Sequence, residues 1–134
     1  MRRLLTQAFG GIARGKRFNR RAGDLGERIA ERHLHARGHR ILERNWHSHT
    51  GEIDIISALP DGTIVFTEVK TRRGEEHGTP IEAFDDIKQG QVARVADDYI
   101  RMWRLERRPV RFDVIGVTVD ERGVAAVEHI EGVD

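Results

Sequence analysis

The 134-residue chain predicts a single α/β domain whose mixed sheet is flanked by helices. Three observations carry that expectation. Apolar residues recur first at helical spacing, then at strand spacing, then at helical and again at strand spacing. The first strand-like runs flank a Pro-Asp-Gly turn, which pairs them antiparallel. A long helical stretch separates them from the last two strands, and a crossover through a helix joins strands of a mixed or parallel sheet. A domain of this length buries roughly two-thirds of its unfolded surface, enough for one core.

The elements follow in order. Residues 1–21 are expected to form a basic, flexible arm, and 22–134 the folded domain. Seven of the 23 Lys and Arg residues (Arg2, Arg3, Arg14, Lys16, Arg17, Arg20, Arg21) and none of the 22 acids fall between Met1 and Ala22, so the net charge of +1 conceals a mildly acidic body. Ala22, Leu25, Ile29, Ala30 and Leu34 share one helical stripe, which Gly38 should end. Ile41 to Trp46 is short and mixed, as suits an edge strand. Glu-Ile-Asp-Ile-Ile (52–56) and Thr-Ile-Val-Phe-Thr-Glu-Val-Lys (63–70) are β-branched runs on either side of Pro60-Asp61-Gly62. Residues 74–80 are polar and contain glycine, hence a loop. Phe84, Lys88, Val92, Val95, Tyr99 and Met102 form the stripe of a second helix, ended before Pro109. Arg111 to Val119 and Val124 to Ile130 are two final strands around Asp120-Glu121-Arg122-Gly123.

Composition excludes several classes. The chain has no cysteine, so it has no disulfide, thiolate metal site or cysteine nucleophile. No apolar run approaches the roughly 18 residues of a membrane span, and no secretory signal is evident; a cytoplasmic protein without a membrane partner is expected. The glycine-containing stretches lack the lysine-serine/threonine ending of a phosphate-binding loop. Seven histidines raise the question of zinc, but His33 and His35 are two apart on a helix and do not face one ligand.

The chemistry lies in charged residues on faces that should be buried. Glu27 borders the stripe of the first helix, Asp54 interrupts an isoleucine-rich strand, and Lys88 sits on the stripe of the second helix. Glu68 and Lys70 point to one face of their strand while Val69 points to the other. Such groups are seldom buried unless paired or bound to a metal. Asp54 and Glu68 come from neighbouring strands, so their carboxylates can reach one cation, and carboxylate oxygens with water suit Mg²⁺ or Mn²⁺. Lys70 beside them can hold a water or stabilise a charged transition state. Glu52 is expected at the rim or in support behind the site, and Asp113 in a structural pair with an arginine.

Asp54 followed by Glu68-Val69-Lys70 resembles the PD-(D/E)XK nuclease signature, with Ile53 where the literal proline would stand. Gly26-Glu27, Gly51-Glu52-Ile53-Asp54, residues 66–72 (Phe-Thr-Glu-Val-Lys-Thr-Arg), Lys88 and residues 111–114 (Arg-Phe-Asp-Val) together resemble the YraN family of small bacterial proteins, related to archaeal-type Holliday-junction resolvases. The resemblance implies a restriction endonuclease-like core of helix, three strands, helix and two strands. It implies Asp54, Glu68 and Glu27 as metal ligands together with the Val69 carbonyl, Lys70 as the catalytic lysine, and Lys88 near the scissile phosphate. The expected cofactor is Mg²⁺ or Mn²⁺, and the expected partner DNA. Arg72 and Arg73 at the mouth of the site, and Arg20 and Arg21 in the arm, would contact phosphate. A further cluster, Arg101, Arg104, Arg107, Arg108 and Arg111, surrounds the end of the second helix, while sparse aromatics give little sign of base stacking. Cutting both strands symmetrically would call for a homodimer. The alternative is a nucleic-acid-binding or assembly module that keeps the fold and does not cut.

Overall fold

A computed structural model describes residues 13–73 and 86–133, excepting the side chains of 13–22, 86–88 and 124–125. The elements are α1 (Ala13–Ala36), β1 (Arg40–Ser48), β2 (Gly51–Ala58), β3 (Ile64–Arg73), α2 (Asp86–Met102), β4 (Val110–Asp120) and β5 (Gly123–Ile130). They build one five-stranded sheet in the order β1-β2-β3-β4-β5. The pair β3 and β4, joined through α2, is parallel, and the other neighbours are antiparallel. This is the mixed α/β sheet with flanking helices that the sequence predicts. Among the described residues no helix is long and apolar enough to cross a membrane.

Helix α1 begins at Ala13, inside the segment expected to be a flexible arm. The rest of that arm, residues 1–12, and the 74–80 loop lie outside the described residues. The end of α1 is where glycine was expected to place it. Gly38 takes φ 92°, its N–H donates to His35 O at 3.1 Å, and His39 N–H donates to Leu34 O at 3.0 Å. This double closure satisfies carbonyls the helix leaves open, and its left-handed residue suits glycine.

Each face of the sheet has its own core. On one face Ala30 and Leu34 of α1 pack with Ile55, Val69, Ile115, Val117 and Val119. On the other, Val92, Val95, Ala96 and Tyr99 of α2 pack with Ile53, Ile56, Ile64, Phe66 and Val114. Alternation along β3 therefore sends Phe66, Glu68 and Lys70 toward the α2 side and Val69 toward α1. Of the expected stripe of α2, Phe84 and the Lys88 side chain lie outside the described residues. Val92, Val95 and Tyr99 are buried, but Met102 is 62% exposed. The helix closes two residues later, before the sheet can cover that position.

Candidate active site

The antiparallel ladder between β2 and β3 runs from Ala58↔Ile64 to Ile55↔Thr67. In that register the next residues to face each other are Asp54 and Glu68. Here the regular pattern gives way. Ile53 and Ile56 belong to the α2-side core although three residues apart, while Ile55 belongs to the α1 side. Strict alternation allows no such arrangement, so β2 turns about its own axis at Asp54. The freed carboxylate reaches across, and Val69 N–H donates to Asp54 Oδ2 at 2.8 Å. A side-chain oxygen thus takes the place of a ladder carbonyl and fixes the acid against the Glu-X-Lys strand.

Both acids are deeply placed: Asp54 is 0% and Glu68 3% exposed. Carboxylates buried side by side repel each other unless positive charge sits among them. Lys70, two residues on and half-buried, provides one positive charge on the same face of β3. Arg72 is half-buried and Arg73 exposed at the strand's end.

Glu27 arrives from α1 through a close approach of helix to sheet. A Cβ on Gly26 would lie 1.8 Å from Thr71 Oγ1, so only glycine lets α1 settle this near β3. The next residue, Glu27, meets Asn45 of β1. Asn45 adopts φ 49°, a left-handed conformation that asparagine tolerates better than most residues. Two carboxylates flank its amide, which assigns the nitrogen toward them: it donates to Glu27 Oε1 and Glu52 Oε2, each at 3.2 Å. On its other side Glu52 meets His47 Nε2 at 3.3 Å. In the β1–β2 register Asn45 is level with Asp54, between the pairs Arg44↔Ile55 and Trp46↔Ile53.

The structure thus joins Asp54 to Val69 N–H, between Glu68 and Lys70 in sequence, and joins Glu27 with Glu52 around Asn45. Glu52, expected at the rim or in support behind the site, meets Asn45 and His47. Among the described residues no three His, Asp or Glu side chains converge as a ready metal cage; Asp54 and Glu68 supply two carboxylates, and Glu27 is turned to Asn45. The side chains of Lys88, Arg20 and Arg21 lie outside the described residues. Asn45 was missed by sequence reading, and its only signal was an asparagine interrupting an edge strand.

Asp113 takes the structural part expected of it. Arg111 Nε and Nη2 donate to its two oxygens at 2.9 Å each, Gly132 N–H donates at 3.2 Å, and His129 Nε2 at 2.7 Å. Burial alone would raise this carboxyl, but the bonds from His129, Arg111 and Gly132 together hold it below the ordinary range. His129 Nδ1 lies 3.0 Å from His33 Nε2, and His39 Nδ1 bonds Ser57 Oγ at 2.8 Å. Burial lowers the pKa of both His33 and His39. An open cleft of about 420 Å³ lined by Gly38, Arg40, Pro60, Gly62 and Arg108 contains none of the site's acids.

Residues 26–117 match the Uncharacterised protein family UPF0102. A UPF0102 protein of Trichlorobacter lovleyi is 43% identical over 112 residues, covering 84% of this chain and 88% of that protein. One from Nocardioides sp. is 40% identical over 112 residues, covering 83% and 89%. The UPF0102 protein STH1475 of Symbiobacterium thermophilum is 48% identical over 100 residues, covering 75% and 84%. Among solved structures, the EndoMS–dsDNA2 complex is similar with a TM-score of 0.31 and 26% identity, over 64% of this chain and 30% of that one. Pyrococcus furiosus SfsA in complex with Ca²⁺ is similar with a TM-score of 0.36 and 17% identity, over 86% and 64%.

Proposed function

Since the chain belongs to the UPF0102 (YraN) family, we propose that it is a metal-dependent endonuclease hydrolysing phosphodiester bonds in DNA, branched or otherwise structured DNA in particular. The observation that carries this reading is the two buried acids Asp54 and Glu68 on neighbouring strands, one step past the last ladder pair Ile55↔Thr67, with Lys70 on the same strand face as Glu68. A pure DNA binder gains nothing from burying two carboxylates where phosphate should approach. A cation turns the same pair into a phosphate site.

The oxygen donors Asp54, Glu68 and the Val69 carbonyl suit Mg²⁺ or Mn²⁺, and Glu27, which meets Asn45 in the structure, would join them by turning away from it. The bound ion would activate a water and neutralise charge developing on the phosphodiester. The chain's own groups do the rest. Val69 N–H holds the Asp54 carboxylate in place. The Lys70 ammonium orients the attacking water and stabilises the negative charge of the transition state. Asn45 positions Glu27 and Glu52. Arg72 and Arg73 hold the flanking phosphates, Lys88 approaches the scissile one from α2, and Arg20 and Arg21 add sequence-independent contacts. Symmetric cutting of two strands would use a homodimer.

The test is cleavage of a panel of duplex, flap and four-way-junction DNA with Mg²⁺ or Mn²⁺. Metal-dependent cleavage that Glu68→Ala abolishes while binding persists is the expected result. Tight binding without cleavage under either metal would leave a non-catalytic nucleic-acid-binding module instead.

A further inference from the structure

The segment after α2 presents a surface that the catalytic reading does not use. Trp103 is 57% exposed and Met102 62% exposed, although apolar side chains of this size are normally covered. Arg101, Arg104, Arg107 and Arg108 surround them, all exposed. Arg101 is paired with Asp97, and Arg108 Nη1 donates to Gly62 O at 3.2 Å. Arg104 and Arg107 make no ion pair among the described residues, and residues 103–108 contain a single acid, Glu106, against three arginines.

The backbone singles out Arg104. Helix α2 ends as α1 does: the residue 104 N–H donates to Arg101 O at 3.3 Å, and Leu105 N–H donates to Ile100 O at 2.9 Å. In α1 the left-handed position of this closure is Gly38; in α2 it is Arg104, at φ 55°. A bulky residue there is strained where glycine is not. Strain retained at one position is a pointer toward use of its side chain.

The surface also connects to the site. Trp46, next to Asn45, meets Tyr99 edge-on at 5.1 Å between ring centroids, and Tyr99 is 6.4 Å from Trp103. The aromatic row runs from the strand that positions Glu27 and Glu52 out to the exposed indole. Base stacking on an indole with guanidiniums on the phosphates is the chemistry of single-stranded nucleic acid recognition.

We propose that Trp103, with Arg104 and Arg107, forms a stacking platform for a single-stranded segment of nucleic acid, so that the preferred substrate carries unpaired nucleotides beside the scissile duplex. The part concerning substrate rests on the endonuclease reading; the platform itself is tested without cleavage. Intrinsic tryptophan fluorescence of the full chain is titrated with oligothymidylate, with a duplex of equal length and with phosphatidylserine vesicles. Oligothymidylate should quench the emission and bind more tightly than the duplex. Trp103→Ala should remove the quenching, leave Trp46 emission and weaken oligothymidylate binding about tenfold. Arg104→Gly should weaken it about threefold and lower the salt slope by roughly 0.7. The same variant should raise the melting temperature, so weaker binding is not mistaken for unfolding. Glu68→Gln should still be quenched, so failure of catalysis and failure of the platform give different results. Unchanged oligothymidylate affinity in Trp103→Ala would overturn the proposal. Quenching by vesicles alone, or self-association that Trp103→Ala abolishes, would overturn it too.

Discussion

At Gly26 two opposing effects can be weighed. Replacing a helical glycine by alanine ordinarily stabilises a helix by about 1 kcal/mol. Here the new methyl would sit 1.8 Å from Thr71 Oγ1, and Thr71 is fully buried, so overpacking of about 1–3 kcal/mol opposes that gain. Gly26→Ala is expected to lower the unfolding free energy by denaturant titration, and Thr71→Ala in the same chain should restore part of the loss. An equal or higher stability for Gly26→Ala alone would show that helix and sheet do not touch there. The same scale shows what sequence could tell. Glu68 and Lys70 were legible because β3 alternates strictly. Asp54 was legible as an acid in an apolar run, but not the turn of β2 that lets it reach Val69 N–H. Asn45 was hidden because its role depends on a left-handed backbone and on two acids from α1 and β2, neither of them near it in sequence. Asn45→Ala should therefore reduce metal-dependent cleavage by a factor of about ten while leaving DNA binding intact, measured on the preferred DNA of the panel.

Among the elements, β4 and β5 are locked to α1 by a polar cluster. The carboxylate of Asp113 takes Arg111, His129 and the Gly132 N–H, and His129 passes the chain on to His33. Asp113→Ala strands a guanidinium and a buried imidazole, and should cost about 3 kcal/mol in denaturant unfolding; a loss under about 1 kcal/mol would mean that the cluster is not intact in solution. The cluster also sets a pH dependence. His33 and His39 have folded pKa values below the unfolded value of about 6.5. The unfolded chain therefore binds protons first, and their contribution is present above about pH 6.5 and lost as pH falls through the folded values. His129 beside both, Arg37 beside His33 and Arg111 beside His39 push in the same direction. Asp113 beside His39 and Glu131 beside both push against it. Asp113, also depressed, adds a second loss as pH falls below the unfolded carboxylate value of about 3.9. Melting temperature should thus fall in two stages on acidification, and His39→Asn should flatten the first. A melting temperature that rises between about pH 7 and 5 would contradict the assignment. From sequence, the Arg111–Asp113 pairing was readable as two residues apart on one strand face. The histidines were not, since His33, His39 and His129 meet only once α1, β1 and β5 are assembled.

For the whole molecule, a net charge of +1 argued for no partner, and the fold changes what that figure means. Its acids are not all solvent charge: Asp54, Glu68 and Asp113 are buried in the sheet. Cations among the described residues stand at the end of β3 and after α2, and the sequence places seven more before Ala22. The order of elements and the mixed sheet were written in the spacing of apolar residues. The early start of α1 was not, because residues 13–21 carry five Lys and Arg and one large apolar residue, Phe18. Neutralising Arg14, Lys16, Arg17, Arg20 and Arg21 should weaken DNA binding for all sequences alike, lowering the salt slope by roughly 0.9 for each phosphate no longer neutralised. The central claim, that Asp54 and Glu68 form a cation site, is tested most directly by calorimetric titration of the protein with Mn²⁺ in the absence of DNA. Wild type should bind the ion, Asp54→Asn and Glu68→Gln should lose that binding while remaining folded, and the exposed Glu128→Gln should retain it. Equal Mn²⁺ binding by wild type and both site variants, or none by wild type, would contradict the claim.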